Sequence, residues 1–140
     1  MTKIYKITNN QIAEVQNKVK CFLEQRGEIM FAYLHGSFSG KNFRDIDIAV
    51  FLIERGKGGI LQYELNLENE LKDLTGFLTD VRVLNHAPLS FRFNVIKNGI
   101  LLFSRDEAVR SDFECLSIVE YHDLDFLRKT YREEALGVKV

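Results

Sequence analysis

Two aspartates stand two residues apart at the head of an apolar run, Asp45 and Asp47 in DIDIAVFLI, residues 45–53. In an extended chain successive side chains alternate faces. Both carboxylates therefore share one side, while Ile46, Ile48 and Val50 share the other. Aspartate is disfavoured in strands, and neighbouring ionised carboxylates repel. A cation offsets that repulsion, and hard oxygen ligands suit Mg²⁺. Just upstream lies Gly36-Ser37. The glycine lets backbone approach a bulky anion, and Ser37 adds a hydroxyl and an N–H, so the turn can cradle phosphates if a helical turn follows. Two-metal phosphoryl or nucleotidyl transfer usually wants a third carboxylate. Asp80, in Thr79-Asp80-Val81-Arg82, is the candidate, with Arg82 on its face to balance charge. Lys41 and Arg44, in the intervening loop, are either phosphate contacts or solvated charges. Singly these signals are weak: a D-x-D can simply start a strand, and Gly-Ser is most often a plain turn. Their combination is what points to a metal and a triphosphate.

The elements that must position these residues are legible from periodicity. Ile12, Val15, Val19, Phe22 and Leu23 recur at helical spacing, with Thr8 and Gln11 as a capping box, Ile7 and Ile12 as a staple and Gly27 as a left-handed stop. Residues 29–34 (IMFAYL) read as a buried strand, 35–44 as a loop and 45–53 as a second buried strand. After a turn at 54–59 comes a helix over 60–75, with Leu61, Leu65, Leu71 and Leu74 inward, a Glu68–Lys72 pair and Gly76 as its end. Residues 79–84 alternate as a third strand. Pro88 opens a short helix with Leu89, Phe93 and Ile96 inward and Arg92 outward; Gly99 closes it, and 100–103 form a fourth strand. Residues 106–136 are helical, with Val109, Phe113, Leu116, Val119, Leu124, Leu127 and Tyr131 on the inward face and a candidate break near His122–Asp123. In the same helix Tyr121, Phe126 and Tyr131 read first as core and second as a partner surface. This order predicts an α+β fold, a small mixed sheet with helices packed on it.

Length and composition bound the rest. The 140 residues predict one domain. A hydrophobic share of 46% against 28% charged excludes a disordered chain. With 19 basic and 20 acidic residues the net charge is −1, which gives no general attraction to nucleic acid or anionic lipid. Cys21 and Cys115 stand far apart, which excludes a disulfide framework or zinc ribbon and fits a reducing cytoplasm. The first ten residues are too polar for a signal peptide, and residues 46–53 are too short to span a membrane. Arg55-Gly-Lys57-Gly-Gly59 lacks the P-loop order. His35, His86 and His122 lack zinc spacing; His35, beside Gly36, reads first as a satisfied structural histidine and second as a nucleotide contact. Phe91-Arg92-Phe93 reads as a core face rather than an RNA-stacking motif.

Gly36-Ser37, Asp45-Ile46-Asp47 and Asp80 together resemble the signature of the DNA polymerase β-type nucleotidyltransferase superfamily. Residues 80–103 and 105–136, the latter with Phe113, Tyr121-His122-Asp123 and Tyr131-Arg132-Glu133-Glu134-Ala135, resemble its minimal nucleotidyltransferase (MNT) group; the likeness covers about residues 8–136. Two departures stand out: seven residues separate Ser37 from Asp45, fewer than the group's usual loop, and Arg44 precedes the first aspartate where serine is common. In that group Mnt-type antitoxins are paired with HEPN-domain RNase toxins. The resemblance implies a polymerase β-like nucleotidyltransferase domain spanning 1–140, with an α/β core over about 8–104 and a C-terminal helical segment over 105–136. It implies transfer of AMP from ATP to a tyrosine of a HEPN toxin, in a homo- or hetero-oligomer. Asp45 and Asp47 would bind both Mg²⁺ ions and Asp80 would complete the site, with Gly36, Ser37, Lys41 and Arg44 toward the nucleotide. Two alternatives stay open: a binding module that only sequesters the toxin, and a nucleotidyltransferase acting on a small molecule.

Overall fold

The computed structural model describes residues 5–6, 9–36, 42–43, 45–53 and 58–137. In chain order these form β1 (Tyr5–Lys6), α1 (Asn9–Glu24), β2 (Ile29–His35), β3 (Asn42–Phe43), β4 (Ile46–Leu52), α2 (Ile60–Thr75), β5 (Thr79–Val83), α3 (Leu89–Asn98), β6 (Ile100–Ser104) and α4 (Glu107–Leu136). Four strands make a sheet in the order β5-β4-β2-β6, and β1 pairs with β3 apart from it. β2 runs antiparallel to β4 and to β6, while β4 and β5 are parallel. A parallel pair needs a crossover, and α2 supplies it. The sheet is thus mixed and the class α+β, as the element order predicts.

Strand alternation sorts the interior into two cores. Ile46, Ile48, Val50 and Leu52 point to one face, where Val19 and Leu23 of α1 and Leu67 and Leu71 of α2 cover them. On the other face Phe31, Tyr33 and Ala49 meet Val95 of α3 and Phe113 of α4. β4 is therefore covered on both sides, which explains its near-continuous apolar sequence. The Phe31, Phe51 and Phe113 rings meet at 4.7–5.6 Å between centroids. Tyr33 donates its hydroxyl to Glu114 at 2.8 Å, and Arg110 holds that same carboxylate. Burial and the Glu114 charge push the Tyr33 phenol far up. No helix among the described residues is long and apolar enough to cross a membrane.

Several local expectations need correction. Gly27 is not left-handed; tight turns, Arg26 N–H to Leu23 O and Ile29 N–H to Arg26 O, lead the chain out of α1 instead. Gly76 does take the left-handed cap and donates to Lys72 O. Residues 7 and 8 lie outside the described residues, as do residues 54–57 of the predicted turn. On α2 the inward face is rotated. Leu61, Leu65 and Leu74 are exposed while Leu67 and Leu71 are buried, because Glu64 and Glu68 face β5. Glu68 thus meets backbone rather than Lys72. Arg92 points inward, pairing with Glu120 of α4 at 3.6 Å. α4 runs unbroken for 30 residues past His122–Asp123. It buries Phe113 and Ser117 but leaves Leu116, Val119, Leu127 and Tyr131 exposed.

Candidate active site

The sheet register places three titratable side chains in one row. His35, the last residue of β2, lies opposite Asp47 on β4. Asp47 in turn lies opposite Asp80 on β5. Residues directly opposite each other in a ladder share a face, so His35, Asp47 and Asp80 line one side of one end of the sheet. The strand predicted to end at Leu34 extends one residue further, and that residue brings His35 into the row. Asp45 sits in the bend just before β4.

Gly36 follows at once, with φ 75°. A β-carbon there would lie 2.0 Å from Asp47 Oδ2. Both the left-handed backbone and the missing side chain are required, and the reason is the Asp47 carboxylate itself. The glycine predicted to admit an anion thus already stands against one.

Electrostatics bind the acids into one unit. Burial pushes Asp47 up to about 6, and the charges of Asp45 and Asp80 push the same way; Arg82 opposes them. Arg82 Nε donates to Asp80 Oδ1 at 3.2 Å, as expected for the charge-balancing residue. Burial lowers the His35 pKa; the Asp80 charge works against that and Arg82 with it. His35 is therefore a neutral imidazole at neutral pH. Its Nε2 is buried with no hydrogen-bond partner among the described residues, so it is not the satisfied structural histidine that its sequence context suggests. Its ring meets Phe91 edge-on at 5.5 Å.

The row opens into a cleft of about 580 Å³, whose walls include His35, Asp47, Glu64, Asp80, Arg82 and Phe91. β5 is an edge strand, and its outward N–H groups need acceptors. Val81 N–H donates to Glu68 at 3.0 Å and Val83 N–H to Glu64 at 2.8 Å. Spaced four apart on α2, these carboxylates stand in for a neighbouring strand and hold Asp80 and Arg82 in register. Sequence reasoning missed Glu64 and placed Glu68 in a pair with Lys72, although their i,i+4 spacing on the helix just before β5 is a usable signal.

Of the predicted site residues, Asp45 and Asp80 each come within electrostatic reach of Asp47, and Gly36 stands against Asp47. Ser37, Lys41 and Arg44 lie outside the described residues. Among the described residues no three His, Cys, Asp or Glu side chains are gathered into a ready-made metal cage. Mg²⁺ does not need one: it keeps several waters and binds through one or two carboxylates plus substrate phosphates. Hard oxygens side by side, one carboxyl raised by burial and then by its acidic neighbours, are a donor set that fits such an ion.

Comparisons with known proteins agree with this geometry. The family described as Polymerase beta, Nucleotidyltransferase matches residues 17–108, which include every acid of the row. Comparison with curated proteins finds no significant match. Among solved structures, the chain resembles one in a complex of a tri-AMPylated Shewanella oneidensis HEPN toxin with an MNT antitoxin. There the TM-score is 0.69 at 21% identity, over 89% of this chain and 98% of that one. A chain of the MntA–HepT toxin–antitoxin matches with TM-score 0.68 at 20% identity, over 89% and 98%. A chain of a toxin–antitoxin with AMP-PNP matches with TM-score 0.65 at 20% identity, over 93% and 99%. At these identities the structural likeness establishes the fold, while the family match spans most of the chain and its whole acidic row. This chain belongs to the Polymerase beta nucleotidyltransferase family.

Proposed function

We propose that the protein transfers AMP from ATP to a tyrosine hydroxyl of a HEPN-domain toxin and so acts as its antitoxin. Residues 1–140 act as one nucleotidyltransferase domain in the cytoplasm, where the exposed thiols of Cys21 and Cys115 stay reduced. The observation that carries the reading is the in-register Asp47–Asp80 pair, with Gly36 against Asp47. The proteins similar in fold include an MNT antitoxin solved with a tri-AMPylated HEPN toxin and a toxin–antitoxin solved with AMP-PNP.

The acceptor oxygen attacks the α-phosphorus in line. The new O–P bond forms as the bond to pyrophosphate breaks; pyrophosphate leaves with that electron pair, and the hydroxyl proton passes to water in the open cleft. Asp45, Asp47 and Asp80 would hold Mg²⁺, which when bound neutralises phosphate charge and acidifies the attacking hydroxyl. Gly36 keeps the approach to Asp47 free of a side chain. Arg82, on the cleft wall and bonded to Asp80, adds a cation where a triphosphate enters. The β4–β5 register fixes the Asp47–Asp80 spacing before substrate arrives, and this preorganisation is the chain's own contribution to rate.

The test is incubation with Mg²⁺, labelled ATP and the purified HEPN-domain protein of the same genome. The expected result is AMP on a tyrosine of that protein, lost with Asp47→Asn. A tight complex that never acquires label overturns the reading in favour of sequestration.

A further inference from the structure

α4 is longer than the body it packs on. Its 30 residues span about 45 Å, and only its first half is anchored. Phe113 and Ser117 are buried, Tyr121 stacks on Phe93 at 4.0 Å, and Glu120 pairs with Arg92. From 126 to 135 every residue except Thr130 is exposed. That distal part nonetheless carries Phe126 at 68%, Leu127 at 62% and Tyr131 at 63% exposure. A helix end that meets only water should be polar all round, and a detached stretch this short is marginal as a helix. The exposed apolar residues also continue back along the helix. Leu116 and Val119, and two turns further on Phe126 and Leu127, fall on one side of the helix, away from the face that buries Phe113 and Ser117.

One charge interrupts the stripe. Asp123, exposed, sits between Val119 and Leu127, near the middle of the stripe from Leu116 to Leu127. That position decides who can cover the stripe. A second copy burying its whole length would set Asp123 against the partner copy's own Asp123 if parallel and within about one helical turn of it if antiparallel, and facing like charges in an interface are costly. A different protein can bring a cation there. We propose that this stripe of α4 is the docking surface for the acceptor protein, which meets it with an apolar face bearing a lysine or arginine opposite Asp123. The identity of the occupant as acceptor rests on the function proposed above. α3 ties the two places together: Phe91 lines the cleft while Arg92 and Phe93 pack against α4.

Calorimetric titration with the purified HEPN-domain protein of the same genome tests this. Parent protein is compared with the double variant Phe126→Ala, Leu127→Ala and with Asp123→Lys, all far from the cleft acids and all tolerated by a helix. The expected Kd rises at least about thirtyfold for the double variant and at least about tenfold for Asp123→Lys. Circular dichroism and Mg-ATP binding stay at parent values. Unchanged Kd in both variants overturns the docking surface while labelling of the HEPN protein continues, which leaves the transfer reading intact. A parent that forms no complex and no label overturns both. Sedimentation showing a parent dimer that the double variant dissolves overturns the proposal in favour of self-association.

Discussion

Two regions of this protein carry residues that their elements would not choose. At one end of the sheet, carboxylates stand on strands that are otherwise apolar on their buried faces; on the outer face of α4, large apolar side chains stand in water. The difference lies in what the chain itself does about each. Around Asp47 the compensation is internal and already built: Gly36 gives it room, Arg82 holds its neighbour Asp80, and Glu64 and Glu68 lock the strand beside it. Around Phe126 and Leu127 the described residues supply no cover. A misfit supported by rigid surroundings is matched to a small ligand whose position must be set to a fraction of an ångström. A misfit left bare is matched to something large enough to cover it. Under the proposed function the two regions divide the work between chemistry and selection of the acceptor.

The sharpest way to break this division is to remove the charge at the rigid site. Asp47→Asn keeps the shape and leaves the ladder partners in place, so the fold should persist while AMP transfer falls at least about a hundredfold. Binding of the HEPN-domain protein should stay within about threefold of parent, because docking is assigned to the other region. Labelled-ATP transfer and calorimetry read the two effects separately, and a joint loss of both would merge the regions into one.

Rigidity can be tested next, at Gly36. Gly36→Ala forces a β-carbon toward Asp47 Oδ2 and a side chain into φ 75°. The left-handed backbone alone costs about 1–2 kcal/mol, and displacement of the carboxylate should lower transfer as well. The matched control is Gly27→Ala, where nothing lies within 4 Å and φ is not positive. That variant should be neutral or slightly stabilising. Thermal unfolding and transfer measured on both decide the matter; equal behaviour would mean the Gly36 contact is not what shapes the site.

A smaller effect is expected where α2 guards β5. Glu68→Ala leaves the buried Val81 N–H without its acceptor, a loss of about 1–2 kcal/mol. Glu68→Gln keeps a carbonyl oxygen at that place and should restore most of the stability seen by urea unfolding. If both variants are equally destabilised, charge rather than edge bonding explains the glutamate.

The legibility of these features in the sequence follows the range of the forces involved. Element order and helix spans come from local periodicity and chain punctuation, so α2 is legible at its observed bounds from Gly59, Gly76 and the leucine spacing. The acidic set is legible because two carboxylates in an apolar strand are anomalous by residue type alone. The phase of α2 is not, because Glu64 and Glu68 turn inward only to meet N–H groups of a strand formed later in the chain. His35 is hidden for a similar reason: its role depends on pairing with β4 across a dozen residues. The inward face assigned to α4 fails most widely. A 30-residue helix carries two apolar stripes, and periodicity does not say which one the body covers.

The smallest expected effect concerns the cost of keeping Asp47 ready. Its ordinary carboxyl value of 3.8 is pushed up to about 6 by burial and by Asp45 and Asp80. The folded state therefore binds this proton more tightly than the unfolded chain does. The resulting stabilisation is fully present below pH 3.8 and is lost as pH rises through 6. Above that, in metal-free buffer, the ionised carboxylate works against the fold. Asp47 is partly exposed, so solvent screening cuts the effect to about 1 kcal/mol. Asp47→Asn should accordingly unfold at a higher temperature than parent at pH 8 with a chelator present, and the advantage should shrink toward zero at pH 4. Adding Mg²⁺ at pH 8 should stabilise the parent more than the variant, since only the parent keeps the full donor set. A Tm difference that stays constant from pH 4 to pH 8 would show that the acidic row is not strained by its own charge, and the contrast between a prepared site and a bare docking face would lose its electrostatic basis.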